Sequence, residues 1–231
     1  MKNLIILHGA LGAETQFEDI KKRVHSDFII WTMNFYGHGG NAVDKPFRIR
    51  EFANELEGFI KENVITEPLI FGYSMGGMVA LDLASRKPEL IDRIVTLGTK
   101  FGWSPEIAAK EIQMLNPEVI QNKVPKFAEA LAKRHAPEDW KKVLQATEEM
   151  MLDLGAHPPV DKNSWSTIKT PVTICLGDQD EMVSKEETQT VYDILPNAEF
   201  VDLHDSKHAI EQANLDQLVE VLVCGCDGEE G

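Results

Sequence analysis

The sequence is poor in cysteine. Only three cysteines occur among 231 residues: Cys175 lies in an apolar segment, and Cys224 and Cys226 lie near the end. A sparse, odd-numbered set is typical of proteins from a reducing compartment and argues against a disulfide-stapled secreted domain. The cytoplasm is therefore the expected location. Since no further soft ligand lies near the last two cysteines, they predict a frayed tail and no metal site.

Basic residues and long apolar runs are also scarce. Lysine and arginine number 23 against 38 acidic residues, which gives a formal net charge of −15. This excess of negative charge disfavours nucleic acids and anionic membranes as partners. The apolar stretch Pro68 to Leu81 has 14 residues without a charged side chain, and the longest such stretch, Phe28 to Val43, has 16, whereas a transmembrane helix needs about 20. The first residues also lack the pattern of a signal peptide.

Six apolar runs are separated by segments with helical periodicity. Most of the runs are continuous, as expected for parallel strands covered on both faces. The intervening segments carry apolar residues at helical spacing, for example Phe17, Ile20 and Val24. We predict a doubly wound α/β fold with a mainly parallel, six-stranded sheet. The runs are Leu4–Leu7, Phe28–Met33, Pro68–Phe71, Ile91–Leu97, Pro171–Leu176 and Ala198–Leu203.

The alternation is interrupted after the fourth run by a segment with helical patterns alone. Ser104, Asn116 and Ala136 each precede Pro-Glu, a helix-start signature, and the third start opens a helix expected to end at Gly155. Ligands bind at the carboxyl ends of parallel strands, so the insertion is a candidate lid; the alternative is a helical decoration without a gating role. The predicted units are a core of residues 1–100 and 166–223, a lid of 101–165 and a flexible tail of 224–231.

A candidate nucleophile lies between the third run and a helical segment. Residues 72–76 read Gly-Tyr-Ser-Met-Gly and fit the pattern G-x-S-x-G. The pattern alone is weak, but a strand, tight turn and helix in this order hold a serine hydroxyl clear of the sheet on a strained backbone. A serine hydroxyl needs a neighbouring base to become a good nucleophile. Ser74 is therefore the candidate, provided that a base and an acid follow.

Both partners occur later in the chain. His208 follows the sixth run, and Gly-Asp-Gln-Asp ends the fifth run at residues 177–180. The order Ser74, Asp180, His208 is the one expected for a triad in this type of fold. Asp180 is preferred to Asp178, which is expected to bond the loop backbone. His204 is the alternative base.

The loop after the first run is a candidate oxyanion hole. Residues 8–12 read His-Gly-Ala-Leu-Gly. The backbone N–H of Ala10, with that of Leu11 as second choice, is expected to act together with the N–H of Met75. We interpret His8 as a structural residue that holds this loop.

The substrate pocket is harder to predict. Large apolar side chains of the insertion and of the loops are expected to form an apolar acyl pocket. Residues 100–142 carry eight basic and six acidic residues, which leaves an anionic substrate open, although i,i+4 pairs on solvated helix faces also explain them. Asp202, His204, Asp205 and His208 have the residue types of a metal site, but His208 is needed as the base, so no metal site is predicted. The pocket candidates are Leu11, Phe101, Trp103 and Trp140.

Taken together, these motifs resemble those of α/β-hydrolase fold enzymes. The similar group carries a lid and includes small carboxylesterases, proline iminopeptidases, C–C bond hydrolases and cofactor-free haloperoxidases. The resemblance implies a serine hydrolase without a cofactor, in a minimal six-stranded version of the fold. Asn34 and Asn41 stand where that family often has aspartate and serine. The matching segments are residues 7–9, 36–39, 72–77 and 177–180, with His208.

The predicted function is hydrolysis of a carboxylic ester with a small to medium acyl group, a small-molecule substrate, by a monomer or homodimer. C–C bond hydrolysis, thioester hydrolysis and a lyase reaction remain alternatives within the same fold. The menaquinone-pathway synthase of this fold typically has an arginine where this chain has Met78. A non-catalytic protein that binds or senses a ligand is the alternative from another class.

Overall fold

The strands form one parallel sheet. The computed structural model describes residues 1–160 and 162–224. In that part of the chain the strand order is β2-β1-β3-β4-β5-β6, with every neighbouring pair parallel. The predicted fold class is confirmed. The strands are β1 (Lys2–Leu7), β2 (Phe28–Thr32), β3 (Leu69–Tyr73), β4 (Arg93–Leu97), β5 (Val172–Gly177) and β6 (Ala198–Leu203).

Helices connect the strands and cover the sheet. Short 3-10 turns at Glu14–Phe17, Pro88–Leu90, Ile112–Leu115 and Ile210–Gln212 supplement them. No helix among residues 1–160 and 162–224 is long and apolar enough to cross a membrane. The helices are α1 (Glu18–Val24), α2 (Ile49–Glu62), α3 (Met75–Arg86), α4 (Pro105–Glu111), α5 (Pro117–Lys123), α6 (Pro125–His135), α7 (Trp140–Ala156), α8 (Lys162–Trp165), α9 (Lys185–Tyr192) and α10 (Leu215–Cys224).

Strand β1 shows why the apolar runs are continuous. Successive side chains of a strand point to opposite faces of the sheet. Leu4 and Ile6 pack in the core layer that contains residues of α1 and α10, and Ile5 and Leu7 pack in the layer of α2 and α3. All four side chains are fully buried. Both faces of the sheet are therefore covered along residues 4–7, which leaves no position there for a polar, solvent-facing residue.

Helices α4 to α8 form the insertion between β4 and β5. Two of its predicted helix starts are confirmed. The Ser104 hydroxyl oxygen accepts a hydrogen bond of 3.2 Å from the N–H of Ile107. The Asn116 side chain accepts bonds of 3.0 Å from the N–H groups of Glu118 and Val119. These caps satisfy donors that the first turn of a helix leaves without partners.

The third predicted start was wrong. Helix α7 begins at Trp140, because the Asp139 carboxylate accepts the N–H of Lys141 at 2.9 Å, whereas the methyl group of Ala136 cannot cap a helix. The helix ends at Ala156, one residue beyond the predicted Gly155. Helix α6 was not predicted as a separate element, since its N-cap, Val124, makes no side-chain capping bond.

The topology places the carboxyl ends of β1 and β3 side by side. In the sheet, β2 lies next to β1 on one edge of that strand, and β3 lies next to β1 on its other edge. The strand order therefore reverses between β1 and β3, and such a switch point opens a crevice where ligands bind in α/β sheets. The predicted tail is described only at Cys224, the last residue of α10. Cys226 and the rest of residues 225–231 lie outside the described residues.

Candidate active site

Ser74 occupies a strained turn between β3 and α3. Its backbone has φ 52° and ψ −116°, a combination that residues with a side chain rarely adopt. Such strained backbone conformations are found mainly at functional sites. Its N–H donates to the carbonyl of Leu97 at 2.8 Å, and the hydroxyl of Thr99 donates to its carbonyl at 3.0 Å. A Cβ at Gly76 would lie 2.7 Å from the carbonyl oxygen of Leu7. The turn therefore packs directly on the end of β1.

Asp180 and His208 form a buried pair next to this turn. His208 Nδ1 lies 2.8 Å from Asp180 Oδ2, and the side chains are 15% and 1% exposed. The other carboxylate oxygen accepts the N–H groups of Met182 and Val183 at 2.8 and 2.9 Å. Burial alone would raise the pKa of Asp180, but the bond and charge of His208 and the backbone donors outweigh it and hold that pKa below its usual range.

Gly98 makes room for the Asp180–His208 pair. This glycine follows β4 directly and has φ +60°. A Cβ there would lie 3.2 Å from both Asp180 Oδ2 and His208 Nδ1. Sequence reasoning missed this residue. The signal was a glycine at the end of a strand that faces the predicted site.

The two alternative residues, Asp178 after β5 and His204 after β6, lie next to each other. Asp178 Oδ1 accepts the N–H of Ser206 at 3.2 Å, as expected for a residue that bonds the loop backbone. This bond, with smaller contributions from His204 and Asp205, lowers the pKa of Asp178. The His204 side chain is 70% exposed, and its Nδ1 lies 3.5 Å from Asp178 Oδ2. The buried pair is thus Asp180 with His208.

The loop after β1 turns beside Ser74. The N–H of Gly12 donates to the carbonyl of Gly9 at 3.0 Å, and Leu11 has φ +57°. Ala10 and Met75 line the same cavity as Ser74 and His208. The two residues predicted to supply the oxyanion-hole donors therefore lie beside Ser74 and His208.

The insertion holds this loop at one carbonyl group. From the end of α6, Arg134 Nη1 donates to the carbonyl oxygen of Leu11 at 2.8 Å, and His135 Nε2 lies 3.1 Å from the same oxygen. Two donors on one acceptor fix the orientation of the peptide group that follows Leu11. Sequence periodicity gave no sign of this contact, because the residues are more than 120 positions apart.

Buried histidines support the loops. His8 Nε2 accepts the N–H of Phe35 at 3.2 Å, so that His8 Nδ1 carries the proton and donates to the carbonyl of Gly9 at 2.8 Å. His135 Nδ1 accepts the N–H of Gly39 at 3.2 Å. His8 therefore fills the structural role that the sequence predicted.

His38 lies between these two histidines. Its ring centroid is 4.9 Å from that of His8 and 5.8 Å from that of His135, and all three side chains are fully buried. Burial lowers the pKa of His8 and His135 to about 4 and that of His38 well below its usual value. The three rings are therefore neutral at pH 7.

Ser74 and His208 face a narrow cavity between the core and the insertion. Its volume is about 60 Å³. One predicted pocket residue, Trp103, lies in the wall. The wall is formed from the core by Ala10, Ile49, Ser74, Met75, Met78, Met182, Val183 and His208, and from the loop after β4 and the insertion by Lys100, Trp103, Glu111, Met150, Met151 and Leu154.

The other three predicted pocket residues are not among those that line this cavity, and their side chains are used in packing. Phe101 packs edge to face on Trp165, with ring centroids 5.6 Å apart. Trp140 is half-buried against the main core, and the Leu11 side chain belongs to that core. Within residues 1–160 and 162–224, no three histidine, cysteine or acidic side chains are grouped to hold a metal ion.

Comparison with known proteins defines the class. Residues 2–170 match the alpha/beta hydrolase fold family, so the chain belongs to that family. "Putative carbamate hydrolase RutD" of Pseudomonas savastanoi pv. phaseolicola is 25% identical over 230 residues, which cover 89% of this chain and 86% of that protein. The mouse sn-1-specific diacylglycerol lipase ABHD11 is 24% identical over 96 residues, 41% of this chain and 31% of the lipase.

Solved structures agree with this class. The esterase EaEST from Exiguobacterium antarcticum superposes with a TM-score of 0.79 at 14% identity, over 99% of this chain and 92% of the esterase. MGS-M2, an α/β-hydrolase enzyme from a deep-sea metagenome library, gives 0.78 at 17% identity, over 100% and 90% of the two chains. The chain is an enzyme of the α/β-hydrolase class, as its sequence predicted.

Proposed function

We propose that the protein is a serine hydrolase that cleaves a carboxylic ester through a triad of Ser74, His208 and Asp180. The observation that carries the proposal is the buried 2.8 Å contact between Asp180 and His208 beside the strained Ser74 turn. A carboxylate in this position fixes the imidazole tautomer, leaving Nε2 free to act as the base.

The proposed reaction proceeds through an acyl-enzyme. Ser74 Oγ attacks the ester carbonyl carbon while His208 takes the hydroxyl proton. The N–H groups of Ala10 and Met75 stabilise the negative oxygen of the tetrahedral intermediate. His208 then returns the proton to the departing alcohol, and a water molecule activated by the same imidazole releases the acid. No cofactor takes part.

The cavity supports a small-molecule substrate with a small to medium acyl group. Its wall is mostly apolar, with methionine at positions 75, 78, 150, 151 and 182, and flexible methionines adapt to apolar groups of different shape. Similar proteins are named as a carbamate hydrolase and as a diacylglycerol lipase. We further propose that residues 101–165 act as a lid on a core of residues 1–100 and 166–223.

The alternatives have less support. For C–C bond cleavage, thioester hydrolysis and a lyase reaction, no feature of the cavity points to the distinguishing substrate group. At position 78 the wall carries methionine, where the menaquinone-pathway synthase of this fold typically has arginine. A ligand-binding protein without turnover would not need a strained serine next to a buried Asp–His pair.

The test is a series of p-nitrophenyl esters from acetate to laurate. We expect turnover with an optimum among the shorter chains, and Ser74→Ala should lower kcat at least ~10³-fold, because triad residues act as a unit. The exposed Ser26 provides the matched control, and Ser26→Ala should behave as the wild-type protein. Turnover that survives in Ser74→Ala would contradict the mechanism.

A further inference from the structure

One charged group lies in the otherwise apolar cavity wall. Lys100 Nζ, from the loop after β4, is 3.4 Å from Glu111 Oε1 at the end of α4 and 3.6 Å from Glu187 Oε2 in α9. It also donates to the carbonyl of Met182 at 3.1 Å. The three charged side chains are 10% to 19% exposed. One ammonium thus faces two carboxylates in a sheltered position.

The two carboxylates differ in how many of their hydrogen-bond acceptor positions are used. Glu187 accepts the N–H groups of Phe101 and Gly102 on one oxygen, and the N–H and hydroxyl of Ser184 on the other. Glu111 lines the cavity, and Lys100 is its partner within the described part of the chain. Because an ionised carboxylate offers about four acceptor positions, Glu111, which lines the cavity, has acceptor capacity left.

The net charge of the group is −1, from one lysine and two glutamates. A charge surrounded by apolar walls acts on a ligand more strongly than one at an open surface. The sequence left an anionic substrate open because of the basic residues of the insertion. The group of three has the opposite sign: Lys100 and Glu111 line the cavity, and Glu187 pairs with Lys100 from outside the wall.

We infer that Glu111 determines substrate specificity: it accepts a hydrogen bond from an ammonium or hydroxyl group carried by the substrate, and it disfavours a substrate that ends in a carboxylate. The inference rests on the proposed ester hydrolysis at Ser74. It concerns the substrate's far end, the ammonium or hydroxyl group that would bind Glu111 while the ester reacts at Ser74.

The first experiment compares methyl esters that differ only in their far end. Methyl 6-aminohexanoate, methyl 6-hydroxyhexanoate and monomethyl adipate present an ammonium, a hydroxyl and a carboxylate, and methyl hexanoate is the uncharged reference. We expect wild-type kcat/KM to be highest for the ammonium ester and lowest for the carboxylate ester. In Glu111→Gln the ratio between these two should fall at least ~10-fold, which corresponds to about 1.4 kcal/mol.

The control is Glu106→Gln on the same helix. Glu106 is exposed and bonds to the hydroxyl of Ser104, away from the cavity wall. This variant should keep the wild-type ratio. If Glu111→Gln also keeps it while hydrolysing methyl hexanoate, or if the wild-type protein prefers the carboxylate ester, the inference is overturned and the proposed function stands.

A second readout does not depend on turnover. Ligands that bind the folded protein raise its Tm, so hexylammonium should raise the wild-type Tm more than hexanoate at equal concentration. Glu111→Gln should remove the difference. Equal shifts in the wild-type protein overturn the inference. A selective shift in a protein that hydrolyses none of the esters supports the inference about the cavity and overturns the proposed function alone.

Discussion

The guanidinium of Arg134 donates a hydrogen bond of 2.8 Å to the main-chain carbonyl oxygen of Leu11. One residue belongs to the helical insertion and the other to the loop beside the candidate nucleophile. Leu11 has φ +57°, a conformation that residues with a side chain adopt at a cost of about 1–2 kcal/mol. The insertion therefore helps to hold the shape of the loop that carries Ala10, the proposed oxyanion-hole residue.

Loss of this contact should impair the proposed oxyanion hole. Arg134→Ala is expected to lower kcat about 10-fold with little change in KM, since a loosened donor loses part of the 10²–10³-fold effect of an oxyanion-hole group. Its affinity for a trifluoromethyl ketone, which forms a tetrahedral adduct, should fall in parallel. Arg134→Lys should recover part of both. The exposed neighbour Lys133 is the control, and equal losses in Lys133→Ala would point to general damage to the insertion.

The space beside the Asp180–His208 pair can be tested with one methyl group. Gly98→Ala would place a Cβ 3.2 Å from both paired atoms at φ +60°, so we expect kcat to fall at least ~10-fold and stability to fall by about 1 kcal/mol or more. Gly58→Ala is the matched control. Gly58 lies in α2 with open space around it, and alanine there should stabilise by about 0.5–1 kcal/mol. Ester kinetics and urea unfolding measure both effects.

The choice of acid can be tested by paired amide variants. Asp180→Asn should lower kcat about 10³–10⁴-fold, because the amide removes the negative charge and favours the wrong imidazole tautomer. Asp178→Asn should change kcat little, since Asp178 bonds the N–H of Ser206 and the exposed His204. Kinetics of both variants on one ester are sufficient. A larger loss in Asp178→Asn would reverse the assignment.

Stability should fall as the pH is lowered from 7 to 5. His8 and His135 have a folded pKa of about 4, against about 6.5 in the unfolded chain. Between these values the unfolded state binds more protons than the folded state, so the free energy of unfolding rises with pH. The contribution of these histidines to stability is therefore lost as the pH falls below about 6.5. Each histidine should contribute about 2 kcal/mol to the difference between pH 7 and pH 5. Urea unfolding at the two values measures it.

A glutamine at position 135 separates this effect from other titrations. Its side chain can accept the N–H of Gly39 and donate to the carbonyl of Leu11, the two contacts that His135 makes, but it does not titrate. The loss between pH 7 and pH 5 should therefore shrink by about 2 kcal/mol in His135→Gln. His25→Gln, at an exposed position, should show the same loss as the wild-type protein. An unchanged loss in His135→Gln would mean that this histidine is not the group that titrates.

The elements of the core could be predicted because their signals are local. Residues 4–7 of strand β1 form a continuous apolar run, and their two faces contact different helices, which is what such a run indicates in a parallel sheet. The start of α4 was predicted from Ser104, whose capping bond lies within one turn. The start of α7 was misplaced because a proline signature at Ala136 was preferred to the capping carboxylate of Asp139.

The sequence by itself determined the fold, the family and the residue types of the candidate triad, because periodicity, turn chemistry and motif order all act over short stretches of chain. Only the tertiary structure decided that Asp180 pairs with His208, that Gly98 leaves room for them, and that Arg134 holds the carbonyl of Leu11. It also decided which side chains line the cavity. The wall contains methionines and the Lys100–Glu111 pair, whereas the predicted residues Phe101 and Trp140 are used in packing elsewhere. These contacts join residues far apart in the chain, and their geometry depends on how helices of the insertion pack on the sheet, which no local pattern encodes.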